Sequence, residues 1–105
     1  MKLKITVDHK GEGAFPLFKQ GSKIHLGKEC DRYPNWFSCK IAGYTTYVPR
    51  HFVAQGKLLC DYNPTELAVK KDEIVNLIEL CYGWAIVERD KDVGWLPCDI
   101  LISSI

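Results

Sequence analysis

Two stretches decide how this chain folds: Trp36-Phe37-Ser38-Cys39-Lys40-Ile41 followed by Tyr47-Val48-Pro49-Arg50-His51-Phe52-Val53, and Trp84-Ala85-Ile86-Val87-Glu88-Arg89 followed by Trp95-Leu96-Pro97-Cys98-Asp99-Ile100-Leu101. Tryptophan and proline stand thirteen residues apart in both, and the second stretch follows the first by 48 positions. Working outwards, Phe18 to Leu26 answers to Val69 to Leu77 at an offset of 51, and Val7-Asp8-His9 to Cys60-Asp61-Tyr62 at an offset of 53. The steps in offset put two length differences in loops, where extra residues cost little. The chain therefore reads as one fold written twice.

Within each copy the pattern has period two. Phe37, Cys39 and Ile41 alternate with Trp36, Ser38 and Lys40, and Ala85 and Val87 alternate with Trp84, Ile86 and Glu88. Short alternating runs predict half-buried strands. Turn signals separate them at Gln20-Gly21-Ser22, Tyr33-Pro34-Asn35, Ala42-Gly43, Asn63-Pro64-Thr65 and Asp90-Lys91-Asp92. No long window carries a helical stripe; Thr65 to Val75 comes nearest, and its Val and Ile content favours a strand after a turn. The expected division is residues 1–54 and residues 55–105, joined at Ala54-Gln55-Gly56-Lys57. A copy of about fifty residues has a marginal core by itself. So short a linker predicts two units that touch and unfold together.

Composition narrows the function classes. Of 105 residues, 47% are hydrophobic and 26% charged, the balance of a soluble globular protein. Fourteen Lys and Arg against thirteen Asp and Glu leave a net charge of +1. The densest basic pair, Lys70-Lys71, runs straight into Asp72-Glu73, so no basic stripe is available and no nucleic-acid partner is expected. The opening Met1-Lys2-Leu3-Lys4-Ile5 alternates charge with apolar residues rather than forming a leader, and no membrane span is present. A cytoplasmic protein is expected. Five cysteines without a Cys-x-x-Cys read as reduced thiols, several of them buried. Zinc held by Cys30, Cys39 and His25 is the alternative, against which stands the lack of closely spaced ligand pairs. His25 is expected in solvent and His51 in a turn. No catalytic residue, metal or cofactor is predicted.

The second copy resembles an SH3 domain from Leu58 to Leu101. Leu58-Leu59-Cys60-Asp61-Tyr62 is similar to the family's Ala-Leu-Tyr-Asp-Tyr opening, and Glu66-Leu67-Ala68-Val69-Lys70-Lys71-Asp72-Glu73 to its Glu-Leu-Ser-Phe-Lys-Lys-Gly-Asp/Glu segment. Gly83-Trp84 stands where the family has Gly-Trp, and Gly94-Trp95-Leu96-Pro97-Cys98-Asp99-Ile100-Leu101 where it has Gly-Leu-Ile-Pro-Ser-Asn-Tyr-Val. The first copy is tied to the family through the repeat. The resemblance implies an all-β fold of two SH3-like five-stranded small barrels in tandem, closely packed. It also implies a non-enzymatic protein–protein interaction module with a protein or peptide partner. Proline-rich or other extended segments would lie in aromatic grooves, since a polyproline helix is already ordered and loses little entropy on docking. The implied groove residues are Tyr62, Trp84, Trp95 and Pro97 in the second copy, with Glu66 as acidic arm. In the first copy they are Trp36, Tyr47, Pro49 and Phe52, with Glu12 as acidic arm. Cys60 and Ile100, and Val7 and His9, stand where the family has tyrosines.

Trp36 and Trp84 fall on the strand faces opposite Phe37/Cys39 and Ala85/Val87, so they are expected at an exposed or interface position. The competing expectation is a structural or oligomerisation unit, with occluded grooves and no peptide binding.

Overall fold

The computed structural model describes residues 1–11 and 13–104, and Glu12, the first copy's acidic arm, lies outside the described residues. The protein is all-β: the described residues hold ten strands, two single 3₁₀ turns and no α-helix. The chain forms two compact units, but not the two expected. One comprises Met1–Ala14 together with Thr65–Ile105, and the other is Phe15–Pro64. The boundaries at 54 and 55 are thereby corrected.

The discontinuous unit is built on a five-stranded antiparallel sheet. Its strands are β1 (Lys2–Ile5), β7 (Ile74–Cys81), β8 (Trp84–Arg89), β9 (Asp92–Pro97) and β10 (Leu101–Ser103), in the order β10-β1-β7-β8-β9. Alternation along β1 sends Leu3 and Ile5 into a core with Val75, Val87 and Leu96, and leaves Lys2 and Lys4 outside. A register shift between Leu77 and Glu79 marks a bulge in β7. The chain passes from β7 to β8 through Tyr82-Gly83, both at positive φ, and a 3₁₀ turn (Cys98–Ile100) leads from β9 into β10.

The continuous unit repeats this layout. Its strands are β2 (His25–Glu29), β3 (Trp36–Ile41) and β4 (Tyr44–Pro49), then a 3₁₀ turn (Arg50–Phe52), β5 (Val53–Ala54) and β6 (Lys57–Leu58). The strands form a three-stranded sheet β2-β3-β4 and a two-stranded sheet β5-β6, and the isolated Lys23↔Lys57 bridge links β6 to the segment entering β2. Trp36 faces Pro49 across β3 and β4 just as Trp84 faces Pro97 across β8 and β9. Ile24, Ile41, Val48 and Leu58 are buried here.

The reason for the corrected boundaries lies in which opening strand completes which unit. Residues 2–9 bond to residues 69–76 and 100–103, not to their sequence neighbours at 18–24. Residues 56–62 bond instead to residues 18–24 and 52–53. The two sets of bonds match at the offsets of 48, 51 and 53. His9 and Val69 exchange both backbone bonds at 2.9 Å, and Tyr62 and Phe18 exchange both at 2.8 Å. The N–H of Thr6 donates to the Ile100 carbonyl at 2.8 Å, and that of Leu59 to the Phe52 carbonyl at 2.8 Å. The carboxylate of Asp8 accepts the Lys71 N–H at 2.7 Å, and that of Asp61 accepts the Gln20 N–H at 2.8 Å. The opening strands have been traded.

The residues expected to link two domains cause the trade. Val53 pairs with Leu58 and Ala54 with Lys57, so Gln55 and Gly56 are the two central residues of a hairpin. Their φ values of 52° and 73° are the left-handed pair that a type I′ turn requires. Two residues cannot carry the chain away to a separate unit. They fold β6 straight back onto β5, inside the unit already begun. The N-terminal strand is then left to fill the equivalent place between β10 and β7.

Candidate binding surfaces

The trade redistributes the aromatic residues. Tyr62, assigned by sequence to the groove of the second copy, belongs to the continuous unit with Trp36, Tyr47, Pro49 and Phe52. Its ring meets Phe52 edge-on, with centroids 5.4 Å apart and planes at 87°. Its hydroxyl donates to the Tyr47 carbonyl oxygen at 2.6 Å. Tyr62 thus holds in this unit the place that His9 holds in the other, each exchanging both backbone bonds with its partner. All five candidate groove residues of this unit sit on β3, β4, the following 3₁₀ turn and the segment after β6.

Most of them are closed to solvent. Trp36 is 6% exposed, Tyr62 4% and Phe52 8%, and Pro49 is fully buried; Tyr47 alone stands out at 53%. The expected exposed or interface position of Trp36 is corrected to burial among the residues of its unit. The residues before it fold back upon its backbone: the Trp36 N–H donates to the Tyr33 carbonyl at 3.1 Å, and the Trp36 carbonyl accepts the Cys30 N–H at 2.7 Å. A separate aromatic cluster lies at the other end of the sheet, where Tyr44 meets Phe15 and Phe18 edge-on at 5.9 and 5.6 Å.

In the discontinuous unit Trp84 is half-buried, Pro97 is buried and Trp95 is 4% exposed. Trp95 does not add an open ring to a groove. Its N–H donates to the Thr65 carbonyl and its own carbonyl accepts the Leu67 N–H, both at 3.1 Å. The chain from Thr65 to Leu67 thus runs along β9. Gly94 makes this close approach possible, since a Cβ there would lie 2.8 Å from the Leu67 nitrogen.

Glu66 is no open acidic arm. Its Oε1 lies 2.7 Å from His9 Nε2, and both side chains are largely sheltered. This hydrogen-bond partner stands 57 residues away in the sequence. Nearby, Arg89 donates through Nη1 to both carboxylate oxygens of Glu73, at 3.2 and 3.0 Å, and to the Ala68 carbonyl at 3.0 Å. His9, Ala68, Glu73 and Arg89, with Asp8, Lys10, Val69 and Lys70, line a depression of about 340 Å³. Its charges are of both signs, so it presents no single-sign field to a ligand. The only hint of it in the sequence was the position of His9, offset by 53 from Tyr62.

The thiols are all free. Burial pushes the Cys39 thiol up to about 11, a hydrogen bond with the Thr46 backbone opposing it. Burial, then the neighbouring Asp99 carboxylate, also raises that of Cys98. A raised pKa keeps a thiol protonated and weakly nucleophilic. His25 is exposed as expected, and His51 sits exposed in the 3₁₀ turn. His25, Cys30 and Cys39 do not come together as a ligand set. No helix is long and apolar enough to cross a membrane among the described residues. Comparison with known proteins finds no family model, no curated protein and no solved structure that matches this chain.

Proposed function

We propose that the protein is a non-enzymatic assembly module made of two interleaved SH3-like barrels, whose aromatic grooves are used for internal packing. One observation carries this reading: Trp36, Pro49, Phe52 and Tyr62 gather in one unit, yet each is buried. Rings already removed from water gain little further by docking a polyproline helix, because the hydrophobic gain scales with the area newly buried. The matching backbone bonds of the two units, and the 3₁₀ turn after each Trp-facing proline, support the SH3-like part. The raised thiols of Cys39 and Cys98 speak against cysteine nucleophiles, and five free cysteines fit a reducing compartment such as the cytoplasm.

Titration with proline-rich peptides, followed by amide and indole shifts, tests the reading. The expected result is no saturable shift at Trp36, Phe52 or Tyr62 up to about 1 mM peptide, an affinity weaker than about 4 kcal/mol. Saturable shifts centred on these residues would refute it. A second reading, peptide binding by the continuous unit, rests on the exposed Tyr47 beside the Tyr62 hydroxyl. It predicts shifts that begin at Tyr47.

A further inference from the structure

The geometry points to the segment Met1–Ala14 as an exchangeable strand, and to the slot between β10 and β7 as a site for the same segment of a second copy of this chain. Three observations carry this. First, the slot takes its strand from outside the neighbouring sequence even within one chain, since residues 2–9 bond to residues 69–76 and 100–103 across the whole continuous unit. Second, the bonds are specific to this strand. Leu3 and Ile5 fill the core, Lys4 pairs with Asp72 at 3.5 Å, Asp8 accepts the Lys71 N–H, and His9 Nε2 meets Glu66. A second copy supplies every one of these partners at the same positions, so reciprocal exchange between two chains keeps them all. Third, the strand is joined to the continuous unit by a short stretch that includes Gly11 and Gly13, both at positive φ. Glycine accepts a change of backbone direction at lower cost than any other residue. Such exchange generates closed two-fold dimers without any new surface. The inference is independent of the peptide question put to Trp36, Phe52 and Tyr62, because those residues belong to the continuous unit and the slot to the other.

The intrachain strand competes at an effective concentration of roughly millimolar. The dimer is therefore scarce in dilute protein and forms when chains refold together at high concentration. It then persists, because the strand lies between two neighbours and must break both ladders to leave.

The test uses the full chain as two variants, Lys2→Cys and Asn76→Cys. Positions 2 and 76 are cross-strand partners, and both residues are exposed. The two variants are unfolded, mixed, refolded at about 1 mM and separately at about 10 µM, then oxidised, sized and mapped by peptide mass. The expected result is a species of twice the 12.0 kDa chain mass. Its ratio to monomer should fall about a hundredfold at the lower concentration, and position 2 of one variant should be linked to position 76 of the other. The monomer alone at 1 mM would overturn the inference. So would a dimer lacking that linkage, which would mark association through surfaces with each strand kept at home. Unmodified chain refolded in parallel and sized under reducing conditions reads the dimer fraction independently of the introduced thiols.

Discussion

Replacing Ile5 by alanine tests the traded strands directly. Ile5 is fully buried in the core of the discontinuous unit, among Val75, Val87, Leu96 and Ile100. The change deletes three carbons, worth about 2.4 kcal/mol at roughly 0.8 kcal/mol for each buried methylene. The cavity left behind adds to this, so a total of about 3–4 kcal/mol is expected. At a urea m-value of about 1.5 kcal/mol/M, that moves the unfolding midpoint down by roughly 2–2.7 M with m unchanged. The location of the damage matters as much as its size. Methyl resonances of Val75, Val87, Leu96 and Ile100 should shift in Ile5→Ala, while those of Ile24, Ile41 and Val48 should not. The milder Ile5→Val, expected to cost about 0.5–1.5 kcal/mol, gives the same map should the alanine variant be largely unfolded. Shifts at Ile24 and Val48 with Val75 and Leu96 silent would place the N-terminal strand in its own repeat and refute the trade.

Three further outcomes follow from particular contacts. Gly94→Ala should lose about 1–3 kcal/mol in urea unfolding, because the new methyl meets the Leu67 backbone, which the two Trp95 bonds prevent from retreating. Gln55→Asn should raise stability by no more than about 1 kcal/mol, since Asn adopts the left-handed conformation of this turn more readily than Gln. Cys39 should resist alkylation at pH 8 while Cys30 and Cys60 react, as thiol counting by mass would read. Its folded pKa lies above the ordinary thiol value of 9.0, so the unfolded chain loses its proton first, and the Cys39 contribution to stability, whole below pH 9, should fall away between pH 9 and about 11. A Cys39→Ser variant should show a flatter decline over that window.

Much of the local structure was open to a reader of the sequence, and for a local reason. Period-two alternation at Trp36 to Ile41 and Trp84 to Arg89 needs only the pleat of a strand, and Ala42-Gly43 or Asp90-Lys91 needs only a backbone that turns tightly. Trp36 opposite Pro49 and Trp84 opposite Pro97 follow once each hairpin closes on its short turn. The candidate groove was legible as a set of residues but not as a place. Tyr62 went to the wrong unit, the His9–Glu66 pair spanned a gap of 57 residues, and the burial of Trp36 and Trp95 depended on what the rest of the chain lays over them.

What the amino-acid order settled alone was the all-β character, the positions of the turns and the likeness of the two halves. What it left undecided was the assignment of opening strands. Lys4-Ile5-Thr6-Val7-Asp8 and Lys57-Leu58-Leu59-Cys60-Asp61 offer nearly the same pattern of apolar side chains, charge and backbone groups, so the pattern by itself assigns neither strand to a slot. Strand pairing is governed by pattern, and identical patterns are degenerate. Only the tertiary structure broke the tie, because the chain between Val53 and Leu58 is too short to do anything but turn back on itself.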